Sequence, residues 1–309
     1  MYEAPPRKKL EIYASIPQRF HVSDRRSVWS DVQHGTQDPV FLEGPSFDAL
    51  GNLWIVDIPW GRLFKIDAQA NISCELEYEG EPNGMVFHPD GYAIIADNKN
   101  GLMRFDPATG ALESLLERPL VQRFKGPNDL VLASNGDLYF TDQGQTGLHD
   151  PTGRLYRLTS EGRLDCLLSN VPSPNGLVLS LDEDVIYLAV TRANAVWRVP
   201  LVKQHGLVTK VGTYIQLSGG GGPDGMALDE QGGLAVCHVG AGIVWIFDEV
   251  GQPILRLDSP YSRKTTNCAY GGRDGKRLFV TAGADVLVAD VDRSGAPLVG
   301  NCSKAISRV

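Results

Sequence analysis

Six oxygen-bearing side chains recur at matching places along the chain. The glycines Gly51, Gly91, Gly136, Gly232 and Gly275 read as hairpin turns, and eight residues before each stand Glu43, Asn83, Asn128, Asp224 and Asn267. A sixth unit lacks the glycine, and one extra residue there places Asn175 at the same spot. Pro-Asn-Gly and Pro-Asp-Gly are turn formers in their own right. Turn chemistry does not account for Glu43 in FLEGPSFD, nor for a carboxylate or primary amide in all six units. Carboxylate and amide oxygens suit a hard divalent cation, whereas zinc sites favour Cys or several His. The expected cofactor is one divalent cation, Ca²⁺ first, with Mg²⁺, Mn²⁺ or Zn²⁺ also admitted.

The residues between these positions form a repeat of about forty-five residues, the kind of period that marks solenoids and propellers. EPNGMVFHPDG, GPNDLVLASNG, SPNGLVLSLDE and GPDGMALDEQG each precede a short apolar run, a gap and a second run of period two. The first runs are Leu53–Val56, Ala93–Ala96, Leu138–Thr141, Ile186–Ala189, Leu234–Cys237 and Leu278–Thr281; the second begin at Arg62, Leu102, Arg154, Ala195, Ile243 and Val286. Six units of three or four short antiparallel strands predict an all-β, six-bladed propeller with four-stranded blades, because radial closure protects the edges that single blades expose. Residues 1–35 read as an extension that supplies a closing outer strand, best at Leu10–Tyr13, and a segment draped over one face. Residues 36–309 read as the propeller, with no linker. The six repeat positions then begin the innermost strands and face a central channel.

A second set follows from antiparallel pairing. The strands after the turns end at Asp57, Asp97, Asp142, Val190, His238 and Ala282, beside the starts of the first strands. One mouth is thus expected to gather Glu43, Asp224, Asp57, Asp97 and Asp142, whose mutual repulsion calls for protonation, solvation or a cation. Asn83, Asn128, Asp142, His238 and Asn267 are candidate substrate contacts. Trp60 either forms an apolar rim or packs between blades.

These residues carry a resemblance. EGP, GPND, SPNG, PDG and TNCAYGG, spread over about Glu43 to Asp290, resemble the senescence marker protein (regucalcin) and gluconolactonase family, relatives of diisopropyl fluorophosphatase. The resemblance implies that Glu43, Asn128, Asn175 and Asp224 hold a catalytic divalent cation, with Asn128 also serving substrate or water. It implies hydrolysis of lactones, or of phosphoesters as in some relatives, with a non-catalytic calcium-binding or scaffold propeller as the alternative. Sugar-lactonase members carry arginine near the mouth; here only Arg123 and Arg192 lie close enough in sequence, which argues against an aldonolactone in particular. Asp224 is the candidate general base or nucleophile. Asp142 and His238 are alternatives, since a carboxylate that ligates a cation is a weak base.

Composition narrows the partners. The 309 residues carry a net charge of −8 with no basic run, which argues against nucleic acid or an anionic membrane; the partner that the resemblance implies is a small-molecule lactone. The chain is expected to act as a monomer or small homo-oligomer. Its first residues lack the apolar stretch of a signal peptide, no segment reads as a membrane span, and five scattered cysteines without a CxxC fit free thiols in the cytoplasm. No GxSxG, P-loop or HExxH motif offers another chemistry. The Gly219–Gly222 run reads as a tight approach into Pro223-Asp224.

Overall fold

The computed structural model describes residues 4–119, 121–202 and 205–297; Cys302 and the rest of the C-terminal end lie outside them. Six sheets of four or five strands, antiparallel but for one added edge strand, stand around a central axis as the blades of a propeller. Blade 1 is β3 (Leu42–Phe47), β4 (Leu53–Asp57), β5 (Arg62–Ile66) and β6 (Ile72–Glu77), and blades 2 to 5 repeat the pattern from β7 (Pro82–Phe87), β11 (Pro127–Leu132), β15 (Pro174–Leu179) and β20 (Gly222–Leu228). Blade 6 takes β24 (Thr265–Gly271), β25 (Arg277–Ala282) and β26 (Asp285–Asp290) from the C-terminal side. Its fourth strand is the N-terminal β2 (Glu11–Ser15), antiparallel to β26 with Glu11 opposite Val288. The two ends of the chain therefore close one blade together, and that blade edge is not left open.

The apolar pattern explains the arrangement. The second strand of each blade has neighbours on both faces, so it reads as a continuous apolar run rather than an alternating one. All five residues of LWIVD in β4, of AIIAD in β8 (Ala93–Asp97) and of LYFTD in β12 (Leu138–Asp142) are buried. The buried apolar residues fall into six clusters, each shared by two adjacent blades. Ile94, Ala96 and Leu102 of blade 2, for instance, meet Leu130, Phe140 and Tyr156 of blade 3. Stability is thus built between blades, and no blade has a core of its own.

Two features of the N-terminal segment were not foreseen. Strand β1 (Arg7–Lys9) pairs in parallel with β23 (Pro253–Asp258) and adds a fifth strand to blade 5. A short helix, α1 (Val28–His34), is capped by Ser27 and ends at Gly35 in the left-handed conformation. It packs against the 3-10 turn Ile58–Trp60 above blade 1 and buries Trp29. Among the described residues no helix is long and apolar enough to cross a membrane.

Candidate functional site

The six innermost strands share one irregularity. Each breaks its ladder at the repeat position, with register shifts between Glu43 and Ser46, Pro82 and Gly84, Pro127 and Leu130, Pro174 and Leu177, Pro223 and Met226, and Thr265 and Cys268. Such bulges bend a strand and re-aim its side chains. The backbones approach closely there: a Cβ on Gly225 would lie 2.0 Å from Asn267 Cγ, and one on Gly84 would lie 2.5 Å from Asp129 Oδ1. Threonines lace neighbouring blades around the channel, Thr141 Oγ1 donating to Asn175 O (2.9 Å), Thr191 Oγ1 to Pro223 O (2.8 Å) and Thr266 Oγ1 to Leu42 O (2.9 Å).

Glu43, Asn83, Asn128, Asn175, Asp224 and Asn267 are all buried. The Asn267 amide donates to Glu43 Oε2 at 2.9 Å and reaches across the axis to Asp129 Oδ2 at 3.4 Å. Glu43 Oε2 also accepts from Gly44 N, and Asp129 Oδ1 accepts from Leu130 N, both at 2.8 Å. Burial, then the charges of Asp224 and Asp129, push the Glu43 carboxyl well above the usual carboxylate range. Burial and Asp129 push Asp224 up as well, against the opposing pull of the Asn175 amide and Arg192. Burial alone raises Asp129 to about 6. Among the described residues none of the three is salt-bridged to a lysine or arginine.

Asp129 is the residue that the repeat count missed. The position after the ring residue is glycine in EGP, both PNG units and PDG, but aspartate in PND. That departure was the available signal. The side chain occupies the room left by Gly84 and turns toward the axis.

The second set of expected channel residues plays a different part. Asp57 accepts from Phe41 N at 2.8 Å and is ion-paired with Arg62. Asp97 accepts from Glu81 N (3.1 Å), Tyr78 Oη (2.7 Å), and Lys99 N and Asn100 N (both 2.8 Å). Asp142 accepts from Gly126 N at 2.8 Å, and Arg154 lies 3.7 Å from its other oxygen. Phe41, Glu81 and Gly126 each stand two residues before a ring residue, so these carboxylates clasp the start of the innermost strand. Asp57 and Asp97 are thereby supplied with local donors, whereas Asp142 Oδ2 is buried without a hydrogen bond and has only Arg154 nearby.

Two further candidates are closed off. His238 Nδ1 accepts from Trp245 Nε1 at 3.3 Å, which leaves Nε2 as the protonated nitrogen, 2.9 Å from Gly219 O. Both ring nitrogens are engaged, and burial holds the imidazole below its ordinary range. The glycine run makes this possible, since a Cβ on Gly220 would sit 2.5 Å from His238 Nε2. Trp60 is buried, with its indole donating to Asp38 O at 3.1 Å and Arg25 over its ring, so it offers no open rim.

The oxygens at the axis fit a hard cation by their chemistry. Asn128 Oδ1 is buried with no hydrogen-bond partner, although its Nδ2 donates to Gln143 Oε1 at 3.0 Å. Three buried carboxylates face one another without a salt bridge to a basic side chain, an arrangement that a bound cation would relieve. No three His, Cys, Asp or Glu side chains among the described residues form a complete ligand set alone. Amide oxygens, Asn128 Oδ1 above all, would have to complete it.

Comparison with known proteins agrees with this architecture. Residues 41–284 match the family described as SMP-30/Gluconolactonase/LRE-like region. The chain is 30% identical over 281 residues to a gluconolactonase of Zymomonas mobilis, covering 81% of this chain and 78% of that one. It is 27% identical over 230 residues to the lactonase drp35 of Staphylococcus aureus, covering 71% and 70%. Among solved structures, regucalcin from Agrobacterium tumefaciens, described as a calcium-binding protein, superposes with a TM-score of 0.74 at 27% identity over 84% of this chain and 93% of that one. With 244 of its 309 residues inside the matched region, the chain belongs to the SMP-30/gluconolactonase/LRE-like family.

Proposed function

We propose that this protein is a cation-dependent lactonase that opens a cyclic ester at the mouth of its channel. Lactone hydrolysis in the names of its relatives supports the reaction class. The observation that carries the cation is the pair of buried features at the axis: carboxylates of Glu43, Asp129 and Asp224 without a salt bridge, and an amide oxygen on Asn128 without a donor.

Glu43, Asn128, Asn175 and Asp224 would hold the cation. When bound, such an ion polarises a carbonyl oxygen and lowers the pKa of a water that it touches. Asp224 accepts the proton of the attacking water; the engagement of both His238 nitrogens supports this choice over the imidazole. Asn267 keeps Glu43 in place through its amide. Arg192 lies near enough to lower the Asp224 pKa and is exposed, so it can steady a hydroxyl or carboxylate of the substrate. Asn83 completes the polar wall on the side of blade 2.

The test is a panel of aldonolactones, alkyl γ- and δ-lactones and dihydrocoumarin, assayed on chelated protein with single metals restored. Turnover should return with Ca²⁺, Mg²⁺ or Mn²⁺. Cation uptake without turnover on any lactone would favour a binding propeller, and cleavage of phosphotriesters in its place would move the substrate class.

A further inference from the structure

A primary amide can face a channel with either end, and its neighbours decide which. At Asn128 the nitrogen points to Gln143 Oε1 (3.0 Å) and the oxygen is left buried and unpaired. Leaving a buried carbonyl oxygen without a donor is costly, so the sense of the amide calls for a cause in its neighbours. Gln143 is the residue next to it in the network. Its Nε2 donates to Ser173 Oγ at 3.0 Å, which leaves Oε1 to accept from Asn128.

The support of Gln143 is unusually complete for a loop residue. Its N–H donates to Gly126 O at 2.9 Å, and its carbonyl accepts from Thr146 Oγ1 at 2.6 Å. The same Thr146 oxygen accepts from Ser173 N at 3.1 Å. Ser173 itself sits at φ +66°, in the left-handed region that a non-glycine residue adopts only at a cost. Its carbonyl is tied by Thr191 N at 3.0 Å. A strained serine between blades 3 and 4 thus presents its hydroxyl to one glutamine, and that glutamine faces one asparagine of the ring.

We propose that Gln143 is a positioning residue that, supported by Ser173, sets the sense of the Asn128 amide so that Oδ1 faces the channel as an oxygen ligand. The proposal rests on the reading of the channel as a cation site. Reversing Gln143 would set its NH₂ against Asn128 and turn the Asn128 nitrogen to the channel, where a cation repels it. Gln143→Glu keeps an acceptor toward Asn128, with Ser173 Oγ then donating; Gln143→Leu removes it. Ser173→Gly removes the hydroxyl while suiting the positive φ, so it separates orientation from stability.

Calcium titration calorimetry on chelated protein, with thermal unfolding of the same cation-free samples, provides the test. The wild type should bind Ca²⁺, and Gln143→Leu should bind it about 10- to 100-fold more weakly, the usual loss when a residue that orients a ligand is removed. Ser173→Gly should weaken binding in the same direction with an unfolding midpoint equal to or above that of the wild type. Gln143→Glu should stay within about threefold of wild-type affinity or bind more tightly. Wild-type affinity in Gln143→Leu, or equal losses in the Leu and Glu variants, would overturn the orienting role while leaving the cation reading intact. Absence of Ca²⁺ binding by the wild type would instead overturn the cation reading, and this proposal with it. If Gln143→Leu does not fold, Ser173→Gly against Gln143→Glu makes the same comparison.

Discussion

Asp57, Asp97 and Asp142 lie one strand outward from the ring at the axis, at the same end of the propeller as Glu43, Asp129 and Asp224. Both sets are carboxylates and both are buried, yet their surroundings differ in one respect. The outer three are met by backbone N–H groups at the start of their own blade, and Asp57 by an arginine as well. The inner three have one or two donors each and face other carboxylates. Donor supply therefore separates Asp57 and Asp97 from the ring, whereas Asp142, whose Oδ2 is buried without a hydrogen bond, is set apart by Arg154 at 3.7 Å. A carboxylate with its lone pairs satisfied locally holds the chain in place, whereas one left short of donors is available to a ligand. The contrast also links the two sets, since each clasp fixes the backbone two residues before a ring residue.

The strongest test of the contrast is Asp224→Asn. Lactone turnover should fall by about 1000-fold or more, since charge placed at the reacting centre is lost. Removing one of several repelling buried carboxylates should leave the cation-free protein as stable as the wild type or more so. A clear drop in the unfolding midpoint under chelation would place Asp224 with the clasps instead. Arg62→Leu should act in the opposite sense. It strands the buried Asp57 carboxylate, and urea unfolding should show a loss of about 3–5 kcal/mol, while the folded fraction retains its turnover per molecule.

Asp97→Ala orphans Tyr78 Oη and the N–H groups of Glu81, Lys99 and Asn100. Partial hydration of this edge should hold the cost to about 2–4 kcal/mol in the same unfolding measurement. His238→Gln should change least, with kcat on the best lactone within about threefold of wild type, because no proton transfer passes through the imidazole. Burial depresses the folded pKa of His238 below its ordinary 6.5. Its contribution to stability is therefore complete above that value and is lost as pH falls through the folded pKa. The variant should flatten that part of the stability profile, and a large loss of turnover would return His238 to the list of bases.

Much of the fold could be read from the chain because propeller blades are local objects. Apart from the N-terminal strands and a strand of blade 4, each strand pairs with a sequence neighbour, so the runs at Arg62–Ile66 and Ile243–Phe247 coincide with strands of blades 1 and 5. The parallel pairing of β1 with β23 could not be read in this way. It joins residues about 250 apart, and RKK has no apolar periodicity. The ring was legible because one repeat position recurs six times in similar company. Asp129 and Gln143 were not, since each belongs to a single blade and no repeat reports it.

The sequence by itself determined the number of blades, the place of the innermost strands and the oxygen chemistry at their starts, because these follow from local pairing and from residue type. Tertiary structure alone decided which carboxylates remain short of donors and which amide turns its oxygen inward. Those outcomes depend on partners from other strands and other blades: Phe41 N for Asp57, Asn267 for Glu43, and Ser173 through Gln143 for Asn128. A side chain's chemistry is written in its own residue, but its free valence is set by what folding brings within 3 Å of it.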